Sequence, residues 1–131
     1  DGVHLPAAGM RAATVRKIVG PRMLIGRSVH SFEELDALLH DEVDYVHFGP
    51  VYKTDSKRTF GSPQGVRKLA EVVKRADGLP VVAVGGIHRG CSQEVARTGV
   101  WGAAVIGAVT GANDPRAETE ALLAALGRPQ D

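Results

Sequence analysis

The chain has 131 residues, of which 44% are apolar and 24% charged, and its formal net charge is +1. This length and apolar fraction suit one soluble domain with its own core, and the balanced charge argues against nucleic-acid or membrane partners. Its single cysteine, Cys91, excludes an intramolecular disulfide and predicts a reducing, cytoplasmic location. No apolar run approaches the roughly 20 residues of a membrane span, and residues 1–4 do not resemble a signal peptide.

Apolar and amphipathic segments alternate along the whole chain, which predicts alternating strands and helices. In chain order the predicted elements are strand 2–5, helix 7–19, strand 23–30, helix 32–40, strand 44–52, helix 63–78, strand 79–87, helix 91–98, strand 102–109 and helix 115–126. Ser31, followed three residues later by Glu34, has the pattern of a capping box. Because the strands are continuously apolar, we expect a parallel sheet that is buried on both faces.

Glycine placement helps to choose between the two architectures that fit this series, an open doubly wound sheet and a (β/α)8 TIM barrel. No G-x-G-x-x-G motif follows Leu5 or Val29, as a dinucleotide-binding fold would require. Instead, Gly85-Gly86 closes strand 79–87, and Gly107 lies within strand 102–109. Barrels often bind phosphate with the loops after their last two strands. The glycines therefore favour the barrel.

The length of the chain bears on how much of a barrel it contains. A complete barrel typically needs about 250 residues. We therefore expect residues 1–131 to be the C-terminal portion of a single TIM-barrel domain, covering about strands 4–8 with the N-terminal part absent. A compact domain of another topology is the alternative. A partial barrel exposes strand edges and apolar faces, so a missing segment or a second copy in a homo-oligomer is expected to cover them.

The loop after the third predicted strand is rich in cations and hydroxyls. Residues 48–65 read FGPVYKTDSKRTFGSPQG, and this stretch carries Lys53, Lys57 and Arg58. Such a loop at the end of an apolar strand predicts a site for an anion, although a Lys–Arg pair is also common in ordinary solvated loops. The sequence has no zinc pattern, Walker loop or catalytic Ser–His–Asp motif, so no metal ligand is assigned.

Four segments carry a resemblance to a known family: LIGRSVHSFEEL, DYVHFGPVYKTDSK, PVVAVGGI and GAAVIGAV. In this order and spacing they resemble the thiamin phosphate synthase/thiazole tautomerase superfamily, over essentially the whole chain. The resemblance implies an enzyme of thiamin (vitamin B1) biosynthesis that binds a small thiazole phosphate at the barrel mouth. The substrate-binding residues that it implies are Ser28, Thr54, Lys57, Gly85, Gly86, Ile106 and Gly107.

The same resemblance also implies roles for several of these residues. Lys57 matches a lysine that contacts pyrophosphate, and Ser28 matches a serine near the pyrophosphate. Thr54 matches a residue that contacts the thiazole phosphate. Gly86 and the Ile106-Gly107 pair match a backbone cradle for phosphate, where the family often has serine at position 107.

Two departures from the pattern of the superfamily bear on which of its branches the chain resembles. Synthases typically read H-L-G-Q-x-D after their fourth strand, with the aspartate holding magnesium, whereas residues 4–9 here read HLPAAG and place Gly9 at that position. HLPAAG and RSVHS are closer to the tautomerase branch, whose isomerase reaction moves a proton without a metal cofactor. The main hypothesis is therefore a tautomerase-like isomerase, although Pro50 stands where its best-known members have a histidine.

Because proline cannot transfer a proton, another group must act in that hypothesis. His30, at the end of a strand near the predicted mouth, is the first candidate base, with Lys57 as the second catalytic residue. His47 and His88 are weaker candidates, and His4 and His40 are expected to be structural or exposed. Two alternatives stay open: a magnesium-dependent thiamin phosphate synthase, which is a transferase, and a non-catalytic binder of a phosphate ligand.

Overall fold

The computed structural model describes residues 1–54 and 61–127. Its strands are β1 (Gly2–Leu5), β2 (Leu24–Val29), β3 (Tyr45–Phe48), β4 (Val81–Val84) and β5 (Gly102–Ala104). Its helices are α1 (Ala12–Val19), α2 (Phe32–Asp36), α3 (Gly65–Arg75), α4 (Ser92–Ala96), α5 (Gly107–Thr110) and α6 (Pro115–Leu126). Within the described ranges, no helix has the length and apolar character needed to cross a bilayer.

The strands form one parallel sheet in the consecutive order β1-β2-β3-β4-β5. Each strand is therefore hydrogen-bonded to the strand before it in the chain, as in the wall of a barrel. A doubly wound sheet would reverse direction at a switch point, and this sheet contains no such reversal among its described strands. The predicted parallel α/β class is confirmed.

One face of the sheet carries the hydrophobic core. Val46 and Phe48 of β3 are fully buried there, against Leu69 and Val72 of α3. Val29, Val81 and Ala83 of the neighbouring strands, Leu35 of α2 and Val95 of α4 complete the same cluster. A smaller cluster joins Ala12 and Val15 of α1 to Ile25 of β2. Helices pack on this face because most of the strand residues that point toward it are apolar.

Among the described residues only one face of the sheet is buried, so this chain by itself does not meet the expectation of burial on both faces. Most of the alternate residues, which include His4, Ser28, Tyr45, His47 and Val82, are half-buried or exposed. The short apolar runs did not reveal this, although the polar or small residues His4, Gly26 and Ser28 stand at alternate positions of β1 and β2. We call this surface the open face. It is the face that would point into a barrel.

The predicted strand 102–109 is also shorter than expected. Strand β5 ends at Ala104, and Gly107 begins α5 rather than lying in a strand. A short apolar run fits a buried strand and a buried helix equally well, so the pattern alone could not separate the two. The capping box is confirmed, since Ser31 Oγ accepts a hydrogen bond from the Glu34 amide at 3.1 Å.

Candidate functional site

A cavity of about 290 Å³ lies at the carboxyl ends of β4 and β5. Three chain segments line it: the segment after β3, the turn after β4, and the junction of β5 with α5. The described lining residues are Lys53, Thr54, Val84, Gly85, Gly86, Ile87, His88, Ala104, Val105, Ile106, Gly107 and Ala108. The cavity thus brings together five of the predicted substrate-binding residues, namely Thr54, Gly85, Gly86, Ile106 and Gly107.

The glycine pair after β4 is required by a close approach of two chain segments. Gly85 and Gly86 have φ angles of 100° and 66°, a region that favours glycine. A Cβ atom on Gly86 would lie 2.6 Å from the carbonyl oxygen of Lys53, and one on Gly85 would lie 2.6 Å from Cα of Pro50. The pair therefore lets the segment after β3 pack directly onto the end of β4 and form one cavity wall.

Gly107, which also lines the cavity, has a different steric environment. A Cβ atom added there would meet nothing within 4 Å. Gly107 is exposed and lines the cavity, so the absence of a side chain leaves the main chain at the start of α5 accessible rather than relieving a clash. A serine, which the family often has at this position, would fit without a steric penalty.

Two polar residues also line the cavity: Lys53, which was not among the predicted site residues, and His88, which was only a weaker candidate. Lys53 precedes Thr54 in the loop that the sequence had already singled out for its cations, which is the signal that could have identified it. The Gly90 amide donates a hydrogen bond to Nδ1 of His88 at 3.1 Å. Because Nδ1 accepts, a neutral His88 carries its proton on Nε2 and offers a donor.

Ser28 and His30 lie outside the described lining of the cavity. Ser28 lies on the open face of β2, and its Oγ is 3.0 Å from Nε2 of His4. Nδ1 of His30 is 2.6 Å from the carbonyl oxygen of Gly49, so this nitrogen must be the donor. His30 thus connects the end of β2 to the end of β3. Lys57, the other predicted catalytic residue, lies outside the described residues.

The loop between β1 and α1 is held by a buried cation. The Arg27 guanidinium donates hydrogen bonds to the carbonyl oxygens of Met10, Ala7 and Gly9 at 2.6, 2.8 and 3.0 Å. Arg27 is only 8% exposed. Its charge thus orders the loop that carries Gly9, the position where the resemblance expected an acidic residue. The sequence offered no signal for this contact, because Arg27 lies 17 or more residues away from its partners.

Tyr52 connects the wall of the cavity to α4. Its hydroxyl donates a hydrogen bond to Oε2 of Glu94 at 2.9 Å. Burial raises the pKa of Tyr52, and the hydrogen bond to the Glu94 carboxylate raises it further. The phenol therefore stays protonated and keeps this contact at any physiological pH.

These features define the class of the protein: an α/β protein with a parallel sheet in consecutive strand order and a glycine-lined cavity at the carboxyl ends of its strands. The family can be stated as well. The chain belongs to the thiamine monophosphate synthase family, whose model matches residues 1–109.

Individual relatives agree with this family. The thiamine-phosphate synthase of Roseiflexus sp. (strain RS-1) is 39% identical over 131 residues, which are 100% of this chain and 55% of that protein. The thiamine-phosphate synthase of Anaeromyxobacter dehalogenans (strain 2CP-C) is 42% identical over 126 residues, which are 96% of this chain and 56% of that protein. The chain thus spans well under two thirds of these curated relatives.

Two solved structures have folds similar to that of this chain. Thiamine phosphate pyrophosphorylase from Pyrococcus furiosus superposes with a TM-score of 0.84 at 38% identity, covering 96% of this chain and 59% of that one. The 3-hexulose-6-phosphate synthase from Salmonella typhimurium has a TM-score of 0.70 at 19% identity, covering 96% of this chain and 61% of that one, and shows the fold alone.

The preference for a tautomerase was wrong. The relatives at about 40% identity are named as thiamine-phosphate synthases, which are transferases and not isomerases. The main hypothesis had relied on Gly9 and on the short segments HLPAAG and RSVHS. These few residues carry less information than the similarity that extends over the whole chain. Without a tautomerisation there is no reason to assign His30 as its base. There is also no need for another group to replace the histidine that is absent at Pro50.

Proposed function

We propose that this chain is part of a thiamine-phosphate synthase, a transferase that joins a thiazole phosphate to an aminopyrimidine diphosphate and releases pyrophosphate. The observation that carries the proposal is the 39–42% identity to proteins of that name across the segments that build the cavity. This was the alternative considered from the sequence, and it replaces the isomerase.

We assign the thiazole phosphate to the cavity, with its phosphate group against the main chain of Gly86 and Gly107. Glycine allows amide groups to approach phosphate oxygens without an intervening Cβ atom. Lys53 adds a cation and Thr54 a hydroxyl at the rim. A volume of about 290 Å³ is at the small end for a ligand pocket, which suits the phosphate end of one substrate rather than both substrates together.

We assign Lys57 and Ser28 to the pyrophosphate. In the reaction the thiazole nitrogen forms a bond to the methylene carbon of the pyrimidine, and the bond from that carbon to the pyrophosphate oxygen breaks. The leaving group takes the electron pair and gains negative charge. A lysine ammonium and a serine hydroxyl stabilise such a group, because their interaction with it strengthens as the charge develops.

Magnesium accompanies a synthase in the resemblance, but the described residues do not fit a magnesium site. No three Asp, Glu, His or Cys side chains of the described ranges come together to hold a metal ion. The loop that carries Gly9 has no carboxylate at that position, and three of its carbonyl oxygens are bonded to Arg27. We therefore assign no metal ligand and no catalytic step through a metal to these residues.

We further propose that β1 to β5 correspond to about strands 4–8 of a (β/α)8 barrel and form the C-terminal portion of one domain. Three observations support this: the consecutive parallel order, the half-buried open face, and the 55–59% of each relative's length that the chain covers. Strands that precede β1 in a complete barrel would cover the open face.

The test is an assay of the intact protein with both substrates and magnesium. A synthase releases pyrophosphate and forms the coupled product at equal rates. Calorimetry with the thiazole phosphate alone provides the second measurement. Binding of thiazole phosphate without pyrophosphate release would overturn the transferase and favour a non-catalytic binder. Gly86→Ala is expected to lower both the rate of pyrophosphate release and the affinity for thiazole phosphate. Gly78→Ala, at a helix end remote from the cavity, serves as the matched control.

A further inference from the structure

A group of four side chains on the open face has no part in the cavity described above. It comprises His4 of β1, Ser28 of β2, and Tyr45 and His47 of β3. Nε2 of His4 is 3.0 Å from Oγ of Ser28, and Nδ1 of the same ring is 3.2 Å from the hydroxyl of Tyr45. The ring of His47 packs against His4 with centroids 4.1 Å apart. His4 thus connects two hydroxyl groups on different strands.

The register of the sheet creates this arrangement. Gly26 of β2 is the partner of His4 on one side and of Tyr45 on the other. A Cβ atom on Gly26 would lie 2.5 Å from Nδ1 of His4 and would overlap the Tyr45 hydroxyl. Only glycine at this position allows the two side chains to meet across the intervening strand. The contact is therefore built into three strands rather than formed by chance at a surface.

The chemistry of a neutral imidazole restricts the direction of these hydrogen bonds. One ring nitrogen donates and the other accepts, so His4 either donates to Ser28 and accepts from Tyr45, or the reverse. In the first case the Ser28 hydroxyl hydrogen is free to point at a ligand. In the second case the Ser28 hydroxyl donates its hydrogen to Nε2 of His4, so toward a ligand it can only accept a hydrogen bond.

A pyrophosphate oxygen is an acceptor, so a serine that binds it must donate. We propose that Tyr45 and His4 are positioning residues that orient the Ser28 hydroxyl toward an anionic ligand, through a chain in which Tyr45 donates to Nδ1 of His4 and Nε2–H of His4 donates to Ser28. This inference deepens the proposed function, in which Ser28 contacts the pyrophosphate, and rests on it. Tyr45 and His4 act through Ser28 and do not touch the ligand themselves.

The first test is the tautomer of His4, read from the nitrogen NMR spectrum of the intact protein at a pH where the ring is neutral. The proposal requires the proton on Nε2. Tyr45→Phe keeps the aromatic ring but removes the donor, so both tautomers are expected to become populated. Tyr52→Phe, which also loses one side-chain hydroxyl bond, is the matched control and should leave the His4 spectrum unchanged. A proton on Nδ1 in the unmodified protein would overturn the inference.

The second test is the binding of inorganic pyrophosphate, measured by calorimetry with and without magnesium. Loss of one orienting hydrogen bond predicts about two- to tenfold weaker binding for Tyr45→Phe. His4→Gln, whose amide can still donate toward Ser28, should lose less affinity than His4→Phe. In a Ser28→Ala background, Tyr45→Phe should cause no further loss, because its effect passes through Ser28. An equal loss in both backgrounds, or no pyrophosphate binding at all, would overturn the inference.

Neither measurement depends on turnover, so the inference and the proposed function can fail separately. An intact protein that releases no pyrophosphate from the two substrates, yet shows the Nε2–H tautomer and the Ser28-dependent affinity, contradicts the synthase alone. Normal turnover together with an Nδ1–H tautomer contradicts the hydrogen-bond chain alone.

Discussion

The guanidinium of Arg27 lies 3.0 Å from the carbonyl oxygen of Gly9 and reaches two further carbonyl groups of the same loop. All three of these partners are carbonyl groups, so peptide dipoles compensate for a charge that is almost fully buried. The contact orders the segment between β1 and α1 at the edge of the candidate site. It also occupies oxygen atoms that a cation would need.

We expect Arg27→Met to destabilise the protein by about 2–3 kcal/mol, because three carbonyl groups lose charged hydrogen-bond donors. Urea unfolding of the intact protein measures the change. Arg22→Met, at an exposed arginine, is the matched control and should change stability by less than about 0.5 kcal/mol. Equal stability of the two variants would show that the loop does not depend on Arg27.

Gly9→Asp should not by itself create a metal ligand. A Cβ atom at Gly9 would lie 2.9 Å from the carbonyl oxygen and 3.0 Å from Cδ of Pro6, so the carboxylate needs the loop to shift. We expect manganese binding, followed by electron paramagnetic resonance as a probe for magnesium, to be the same in Gly9→Asp and in the unmodified protein. The pair Pro6→Gly with Gly9→Asp removes the contact with the proline ring and frees the loop to move its carbonyl oxygen, so it is the informative comparison. Tighter manganese binding by Gly9→Asp alone would contradict this prediction.

The two cavity glycines should respond differently to substitution. Gly86→Ala forces a side chain into a φ of 66° and against Lys53, which should cost about 1–3 kcal/mol and weaken thiazole phosphate binding. Gly107→Ser meets open space and should leave stability within about 0.5 kcal/mol. Its hydroxyl should strengthen phosphate binding. Thermal unfolding and calorimetry together distinguish the two variants, and equal destabilisation would refute the distinction.

Asp41 should make stability depend on acid pH. Its carboxylate accepts hydrogen bonds from the Ala12 and Ala13 amides at the start of α1, at 3.2 and 3.1 Å. Burial opposes ionisation, but the amides of Glu42, Ala13 and Ala12 outweigh it and lower the pKa of Asp41. A lowered pKa contributes stability above the unfolded value, and this contribution is lost as pH falls through the folded value.

Asp41→Asn should therefore cost about 1 kcal/mol at pH 7. The difference from the unmodified protein should shrink as pH falls below about 4, the ordinary range of an aspartate. The measurement is the free energy of unfolding from pH 7 to pH 3. A difference that stays constant over this range would exclude the carboxylate as its source.

Lys57→Ala tests the assignment of the leaving group. If its ammonium stabilises departing pyrophosphate, kcat for pyrophosphate release should fall by about 10²–10³ while the affinity for thiazole phosphate is retained. Lys17→Ala, at an exposed lysine of α1, is the control. A loss of thiazole phosphate affinity with unchanged kcat would instead place Lys57 at the phosphate cavity.

The sequence by itself determined the parallel α/β class and indicated five of the residues that line the cavity. Apolar runs bounded by glycine and proline specify strands locally, and the Gly85-Gly86 pair marks a turn that few other residues could form. The capping box at Ser31 was equally local. Such features depend on neighbours within a few residues, so they are readable in a single chain.

Only the tertiary structure decided which side chains meet across strands. The His4–Ser28 and Arg27–Gly9 contacts join residues 24 and 18 positions apart, and they depend on the register of β1 against β2. The same register assigned half of each strand to an open face that continuous apolar runs had concealed. Register is a property of paired strands, and a one-residue shift exchanges the two faces, so no single segment contains it.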